Sequence, residues 1–195
     1  MISILLFGSE DNDACVRGEA IMKPCFLFNL FVLFSTPFIC LSGCASSIVS
    51  FTDKTTDAQI VRMSGNRLAG GIAGVELNAQ RFEKGNEHSY SLIVIYTGPA
   101  FINIKAGKTL VLSIDGIRHE FQGSGSGQNQ HIISIGLIEE KAYYHDLTPD
   151  IFRMLAYARE VEVEILGSGK IVNRHFKEKN FLNFREFYDH YILTQ

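Results

Sequence analysis

Two runs of alternating apolar and polar residues, 110–114 and 117–121, flank the dipeptide Asp115-Gly116. Asp-Gly between such runs is the strongest short-range indication of a β-hairpin, because a type I′ turn requires positive φ at both central residues. A two-residue loop puts six side chains on one face in a defined register: Ile114 with Ile117, Leu112 with His119, and Leu110 with Phe121. The chain is therefore predicted to contain antiparallel β-structure.

Most of the chain after residue 57 is also predicted to form strands. Residues 73–80 alternate and predict a half-buried strand, whereas residues 90–97 are apolar on both faces and predict a central one. The remaining alternating or apolar runs predict further short strands at 131–138, 140–144, 161–165 and 170–176.

Two short helices are expected among these strands. Thr148-Pro149-Asp150 predicts the start of a helix that ends near Ala158, because it combines an N-cap residue, a proline and an acidic residue in the first turn. Asn180 is predicted to cap a second helix with one apolar stripe: Phe181, Phe184, Tyr188 and Tyr191. The expected fold class is α+β, mainly β, with an antiparallel sheet or sandwich and two short helices.

A short apolar run lies between Lys23 and Cys44. It is shorter than the roughly 20 residues of a membrane-spanning helix. A basic start, a short apolar run and small residues at its end are the three parts of a secretory signal. Residues 22–43 are therefore predicted to be a signal peptide.

The tetrad Leu41-Ser42-Gly43-Cys44 at the end of this run resembles the lipobox of bacterial lipoproteins. In that family a diacylglyceryl group is attached to the cysteine thiol, the signal is cut before the cysteine, and the new amino group is usually acylated. The resemblance implies that Cys44 is the lipidated first residue of the mature protein. Because Ala45 is not aspartate, the resemblance also implies an outer-membrane location, facing the periplasm, if the organism is Gram-negative. The domain is similar in pattern to small β-rich lipoproteins of unknown function.

The rest of the chain divides around this motif. Residues 1–21 hold four acidic residues, and the resulting negative charge is the wrong sign for the start of a signal peptide. We therefore predict that translation begins at Met22 and that residues 1–21 are a mis-assigned start. Residues 44–56 are expected to be the lipidated cysteine and a polar tether, and residues 57–195 a single β-rich globular domain.

Composition and residue spacing favour no cofactor, metal or nucleic-acid partner. The chain has 18 Lys and Arg against 21 Asp and Glu, without the basic excess of a nucleic-acid-binding protein. All six histidines follow Cys44 without metal-ligand spacing: His88, His119, His131, His145, His175 and His190. The predicted hairpin turns His119 inward, where a core histidine with one hydrogen-bond partner is expected.

Other polar and aromatic clusters are given structural interpretations. Tyr143-Tyr144-His145-Asp146 is interpreted as a strand end with a local turn, and the Gly-Ser repeat at 123–127 as a solvent-exposed loop. Carboxylates recur at Glu139-Glu140, and at Glu160, Glu162 and Glu164 on one solvated strand face. The carboxy-terminal aromatics are expected in the core, with some of them as a candidate partner surface: Phe176, Phe181, Phe184, Phe187, Tyr188 and Tyr191.

The expected function is that of a membrane-anchored envelope lipoprotein with a non-catalytic interaction or assembly domain. Such a domain would bind an envelope protein through a sheet edge or an aromatic patch. One alternative is a small-molecule or lipid-binding domain with a cavity between sheet and helices. The other is an envelope hydrolase centred on His145 and Asp146, or on His119.

Overall fold

The computed structural model describes residues 47–194. The predicted start region 1–21, the signal peptide 22–43 and Cys44 lie outside the described residues. In chain order the described elements are β1 (Ser47–Asp53), β2 (Ala58–Ser64), β3 (Gly74–Lys84), β4 (Glu87–Gly98), β5 (Gly107–Ile114), β6 (Ile117–Gly123), β7 (Gln130–Ser134), β8 (Leu137–Tyr144), α1 (Pro149–Tyr157), β9 (Val161–Leu166), β10 (Ile171–His175) and α2 (Glu178–Tyr191).

The strands form two antiparallel sheets arranged as a curled sandwich. One sheet has six strands in the order β1-β2-β3-β4-β8-β7, and the other has four in the order β10-β9-β5-β6. The main hydrophobic core takes side chains from both sheets and both helices, including Leu92 and Val94 of β4, Leu112 of β5 and Phe152 of α1. The predicted mainly-β fold class with two short helices is confirmed.

The Asp115-Gly116 hairpin forms in the predicted register. Ile114 pairs with Ile117, Leu112 with His119, and Leu110 with Phe121. Asp115 and Gly116 both have positive φ, 48° and 82°, as a type I′ turn requires. The two strands of this hairpin make up half of the four-stranded sheet.

The two helices pack on each other, and α2 also contacts β3. The Phe152 ring of α1 lies 6.2 Å from the Phe187 ring of α2. Helix α1 begins at Pro149, as predicted. The prediction that Asn180 caps α2 is wrong, because Lys177 is the N-cap residue and Asn180 is the third helical residue. The Asn180 Oδ1 atom accepts the Lys177 N–H at 2.8 Å, which is the reciprocal half of a capping box.

The segment predicted as a tether contains a strand. Residues 47–53 form β1, which pairs with β2 along its whole length at the edge of the six-stranded sheet. Most side chains of β1 are exposed, so its sequence lacks the alternation that would have revealed it. The prediction that the domain begins at residue 57 is therefore wrong, because the sheet begins at Ser47.

The strands near residue 135 also differ from the prediction. Strands were expected at 131–138 and 140–144, whereas β7 ends at Ser134 and β8 begins at Leu137. Gly136 takes a positive φ of 74° in the turn between them. Strand β2 was not predicted, although its position between β1 and β3 makes it an interior strand.

Candidate functional site

His145 lies within hydrogen-bond distance of Ser91, a residue that the sequence patterns did not indicate. The Ser91 Oγ atom of β4 lies 3.0 Å from His145 Nδ1, and the Tyr143 ring stacks on the His145 ring at 5.9 Å. Asp146 has a positive φ of 59°, consistent with the predicted local turn. Because Ser91 is buried, a substrate carbonyl would have to reach a hydroxyl that faces protein. The contact therefore favours a hydrogen bond between strand and turn over a hydrolase dyad.

His119 lies on the other sheet, in β6, and within residues 47–194 no hydrogen bond or ring contact joins it to His145. Its ring is partly buried and stacks on the Phe121 ring at a centroid distance of 6.5 Å. The buried Nε2 atom has no hydrogen-bond partner in the described part of the chain. The predicted hydrogen bond is therefore absent at that nitrogen.

Glu139 and Glu140 are not an acid–base pair, because neighbouring strand residues point to opposite faces. Glu139 is partly exposed beside Lys141, at 3.7 Å, whereas Glu140 is fully buried. The Glu140 carboxylate accepts hydrogen bonds from the backbone N–H groups of residues 102, 103 and 104. It also accepts bonds from Ser126 Oγ at 2.7 Å and Gln130 Nε2 at 3.4 Å. These donors stabilise the buried charge and attach two loops to β8.

The Gly-Ser loop is one of those two loops, so the prediction that it is solvent-exposed is wrong at its centre. Ser126 is fully buried, and its backbone N–H donates to the Ile104 carbonyl at 2.8 Å. A small residue fits here because the loop packs directly on the backbone of the neighbouring loop. The glycines and serines of this loop therefore serve close packing.

The acidic face of β9 lies on the outside of the four-stranded sheet. Glu162 is exposed and Glu164 partly exposed, as expected for a solvated strand face. They line a cavity of about 440 Å³ together with Arg118 and His175. Arg118 approaches Glu164 at 3.9 Å. Within residues 47–194, no group of three or more His, Cys, Asp or Glu side chains is arranged to hold a metal ion.

The carboxy-terminal aromatics do not form an exposed partner surface. Phe176, Phe184, Phe187 and Tyr188 are buried, and Phe181 and Tyr191 pack against the core while partly buried. Helix α2 is held against α1 and β3, so its aromatic side becomes interior. The candidate partner surface proposed for these residues is therefore wrong.

The open edge of β1 offers a different interaction surface. Among the described strands, only β2 pairs with β1, which leaves its other backbone edge unpaired over seven residues. Val49 and Phe51 on this strand are 46% and 41% exposed. The edge has no lysine, proline or bulge, which are the usual devices that block addition of another strand.

A second exposed surface lies where β4 ends and β3 and β8 begin. Strands β3 and β8 run in the same direction, and the pairs Gly74–Thr97 and Ile138–Gly98 place their first residues where β4 ends. Six large apolar side chains are exposed in the loops and the hairpin at this end: Ile72, Phe101, Ile132, Ile133, Ile135 and Leu137. We call this set the apolar end. Clustered apolar exposure of this kind marks an interaction surface.

A groove beside the apolar end contains a buried arginine. Ile72, Pro99, Tyr96 and Arg174 are among the residues that line a cavity of about 450 Å³. Arg174 is only 9% exposed, and its two terminal nitrogens donate to the carbonyls of Asn173 at 2.7 Å and Ala73 at 2.8 Å. Its buried Nε atom has no hydrogen-bond partner in the described chain.

The charge of Arg174 is not matched by an acid. No Asp or Glu of residues 47–194 forms an ion pair with it within 4.0 Å. Burial lowers the pKa of Arg174, although an arginine stays charged at neutral pH. The guanidinium lies against Gly71, where a Cβ atom would come within 2.7 Å of Nη1. The groove therefore combines apolar walls with one buried cation, a pattern suited to an anion that carries an apolar part.

No helix in the described range 47–194 is long and apolar enough to cross a membrane. Comparison of the chain with protein-family models, with curated proteins and with solved structures found no match.

Proposed function

We propose that this chain is an envelope lipoprotein, anchored by acyl chains on Cys44, whose β-sandwich is a non-catalytic interaction module. The lipobox-like tetrad supports the anchor. Strand β1 begins at Ser47, so only Ala45 and Ser46 separate the anchor from the sheet. Three peptide steps span at most about 10 Å, so this arrangement holds the domain close to the membrane.

The observation that carries the interaction function is the unprotected edge of β1. A partner with an extended segment can add to such an edge through main-chain hydrogen bonds, while side-chain contacts provide specificity. Val49 and Phe51 share one face of β1, so the partner segment is expected to carry apolar residues on that face. The proposed partner is an extended strand of another envelope protein.

Val49→Lys is expected to abolish partner binding at this edge. A lysine in the middle of an edge strand opposes addition of an apolar strand, and the exposed position tolerates it without loss of the fold. A photoreactive residue at Thr52 reports the contact in native envelopes. We expect the parent chain to be crosslinked to one segment of another envelope protein, and the Val49→Lys chain to give no crosslink.

Ile117→Lys is the matched control, because it makes the same change at an exposed apolar residue of the other sheet. It should leave the crosslink intact. Persistence of the crosslink in the Val49→Lys chain would contradict the proposal. So would a crosslink to a second copy of this chain, or no crosslink from Thr52 at all.

The Arg174 groove favours a second candidate function, the binding of a small amphiphilic carboxylate. An apolar tail would contact Ile72 and Pro99, and the carboxylate would supply the negative charge that no Asp or Glu of the described residues brings to Arg174. A hydrogen bond to a charged group contributes about 1.5–3 kcal/mol, which corresponds to at least tenfold in affinity.

Arg174→Gln is therefore expected to weaken binding of a fluorescent fatty acid by at least about tenfold. Arg118→Gln is the control, because Arg118 is an exposed arginine on the outer face of the same sheet. Thermal unfolding of both variants shows whether they are folded. Equal affinity of folded Arg174→Gln and the parent chain would exclude this function, as would no binding by the parent chain.

A further inference from the structure

We infer that the Arg174 groove binds the C-terminal carboxylate of an extended peptide, whose main chain pairs with the open edge of β10. This inference rests on the carboxylate binding proposed for Arg174 and names the kind of molecule that carries the carboxylate. Two features of the groove support a peptide: the unused N–H groups of the guanidinium and the unpaired backbone groups of β10.

The guanidinium of Arg174 has N–H groups that no described residue uses. Each terminal nitrogen carries two N–H groups and spends one on a protein carbonyl, Asn173 O at 2.7 Å and Ala73 O at 2.8 Å. The other N–H of each nitrogen has no acceptor in the described chain, and no Asp or Glu of residues 47–194 pairs with the charge. A ligand carboxylate can accept these N–H groups and match the charge.

Strand β10 is an edge strand of the four-stranded sheet, and most of its free side is unpaired. The one bridge on that side among the described residues joins His175 to Ala69, whose N–H groups donate to each other's carbonyls at 3.1 and 3.0 Å. Backbone groups of successive strand residues point to alternate sides, so Ile171 and Asn173 face the same free side as His175. Asn173 O is taken by Arg174, which leaves Asn173 N–H and both Ile171 groups without a described partner.

One groove contains both the guanidinium and this unpaired edge. Its lining follows the chain from Lys170 to Arg174 and also includes Ile72, Tyr96 and Pro99. A peptide terminus offers main-chain groups to β10, a carboxylate to Arg174 and an apolar last side chain to Ile72 and Pro99. The alkyl chain of a fatty acid would cover the same edge without bonding to it, and each polar group buried without a partner costs free energy. The groove therefore suits a peptide better than a fatty acid.

The binding test uses fluorescently labelled pentapeptides that end in valine, leucine or phenylalanine, with anisotropy measured on the full chain. Each peptide is compared with the same peptide carrying a C-terminal amide, which removes the charge and keeps the side chains. We expect the acid form to bind at least about tenfold more tightly than the amide form. On Arg174→Gln the two forms should bind equally, whereas Arg118→Gln, which changes an exposed arginine, should preserve the difference.

Ile171→Pro tests the pairing with β10, because it removes an N–H that faces away from β9, and an edge strand tolerates proline on its free side. We expect it to weaken binding of the acid form at least about threefold. Arg118→Pro is the matched control, because its N–H faces the free side of β6, the opposite edge strand of this sheet. Thermal unfolding shows that each variant is folded. N-methylation of the last two peptide amides removes the donors from the ligand instead, and should weaken binding by a similar factor on the unchanged protein.

Equal affinity of the acid and amide forms for the parent chain would overturn this inference, and fatty-acid binding that still depends on Arg174 would then leave the proposed function of the groove intact. Full affinity after both Ile171→Pro and N-methylation would also overturn it, because Arg174 would then bind a carboxylate without help from the edge of β10. Failure of the parent chain to bind either the peptides or the fatty acid would overturn both proposals for the groove.

Discussion

Replacing Glu140 with alanine is expected to lower the free energy of unfolding by about 3–5 kcal/mol. The substitution removes the acceptor of five hydrogen bonds and leaves the backbone N–H groups of residues 102 and 104 unpaired in the interior. Each unsatisfied buried donor costs roughly 1–3 kcal/mol, less whatever the loops regain by relaxing towards water. The effect should be among the largest that any single polar side chain of this domain can produce.

Denaturant unfolding of the full chain measures this effect. Glu139→Ala is the matched control, because Glu139 is the neighbouring glutamate and makes only a surface ion pair with Lys141. Its expected cost is below about 1 kcal/mol. Glu140→Gln should fall between the two, because an amide keeps one acceptor oxygen but adds donors where donors already converge. Equal free energies of unfolding of the two alanine variants would show that Glu140 does not stabilise the loops that contain residues 102–104 and Ser126.

The elements predicted correctly are those defined by local pattern. The Asp115-Gly116 hairpin was predicted with its register, because a two-residue turn leaves only one pairing of the flanking strands. Helix α1 was predicted from Thr148 and Pro149, which act within one helical turn. Such signals need no knowledge of what packs against the element.

The elements that were missed depend on distant partners. Strand β1 has mostly exposed side chains and is held by its backbone pairing with β2, so its sequence resembles a polar linker. The order of the strands could not be predicted from the sequence either, because β4 pairs with β8, which lies more than 30 residues further along the chain. Nothing local in either strand specifies that choice.

The candidate surfaces were less predictable than the fold. Glu140 looked like half of a carboxylate pair, whereas three of its five donors lie in a loop 36–38 residues away in sequence. The aromatics of α2 looked like surplus apolar surface until α1 was placed against them. Conversely, Ile132 and Ile135 looked like ordinary strand residues. Ile132 is exposed on the edge strand β7, and Ile135 is exposed because it lies in the turn between β7 and β8.

Replacing Cys44 with alanine is expected to detach the protein from the membrane, which is a larger effect on its location than any other substitution proposed here should have. A second acyl chain makes membrane attachment durable, because each buried methylene contributes about 0.8 kcal/mol. Loss of the thiol removes the attachment point, so incorporation of labelled palmitate should fall to background and the lipid-modified form should disappear. Cys40→Ala is the matched control, because it removes a thiol four residues earlier and leaves the tetrad intact.

The intact mass of the protein isolated from its native membranes tests the proposed anchor most directly. We expect a chain that begins at Cys44 and carries the added mass of a diacylglyceryl group, with a further acyl group on its amino nitrogen. A chain that retains residues before Cys44, or one that begins at Cys44 without added lipid, would contradict it.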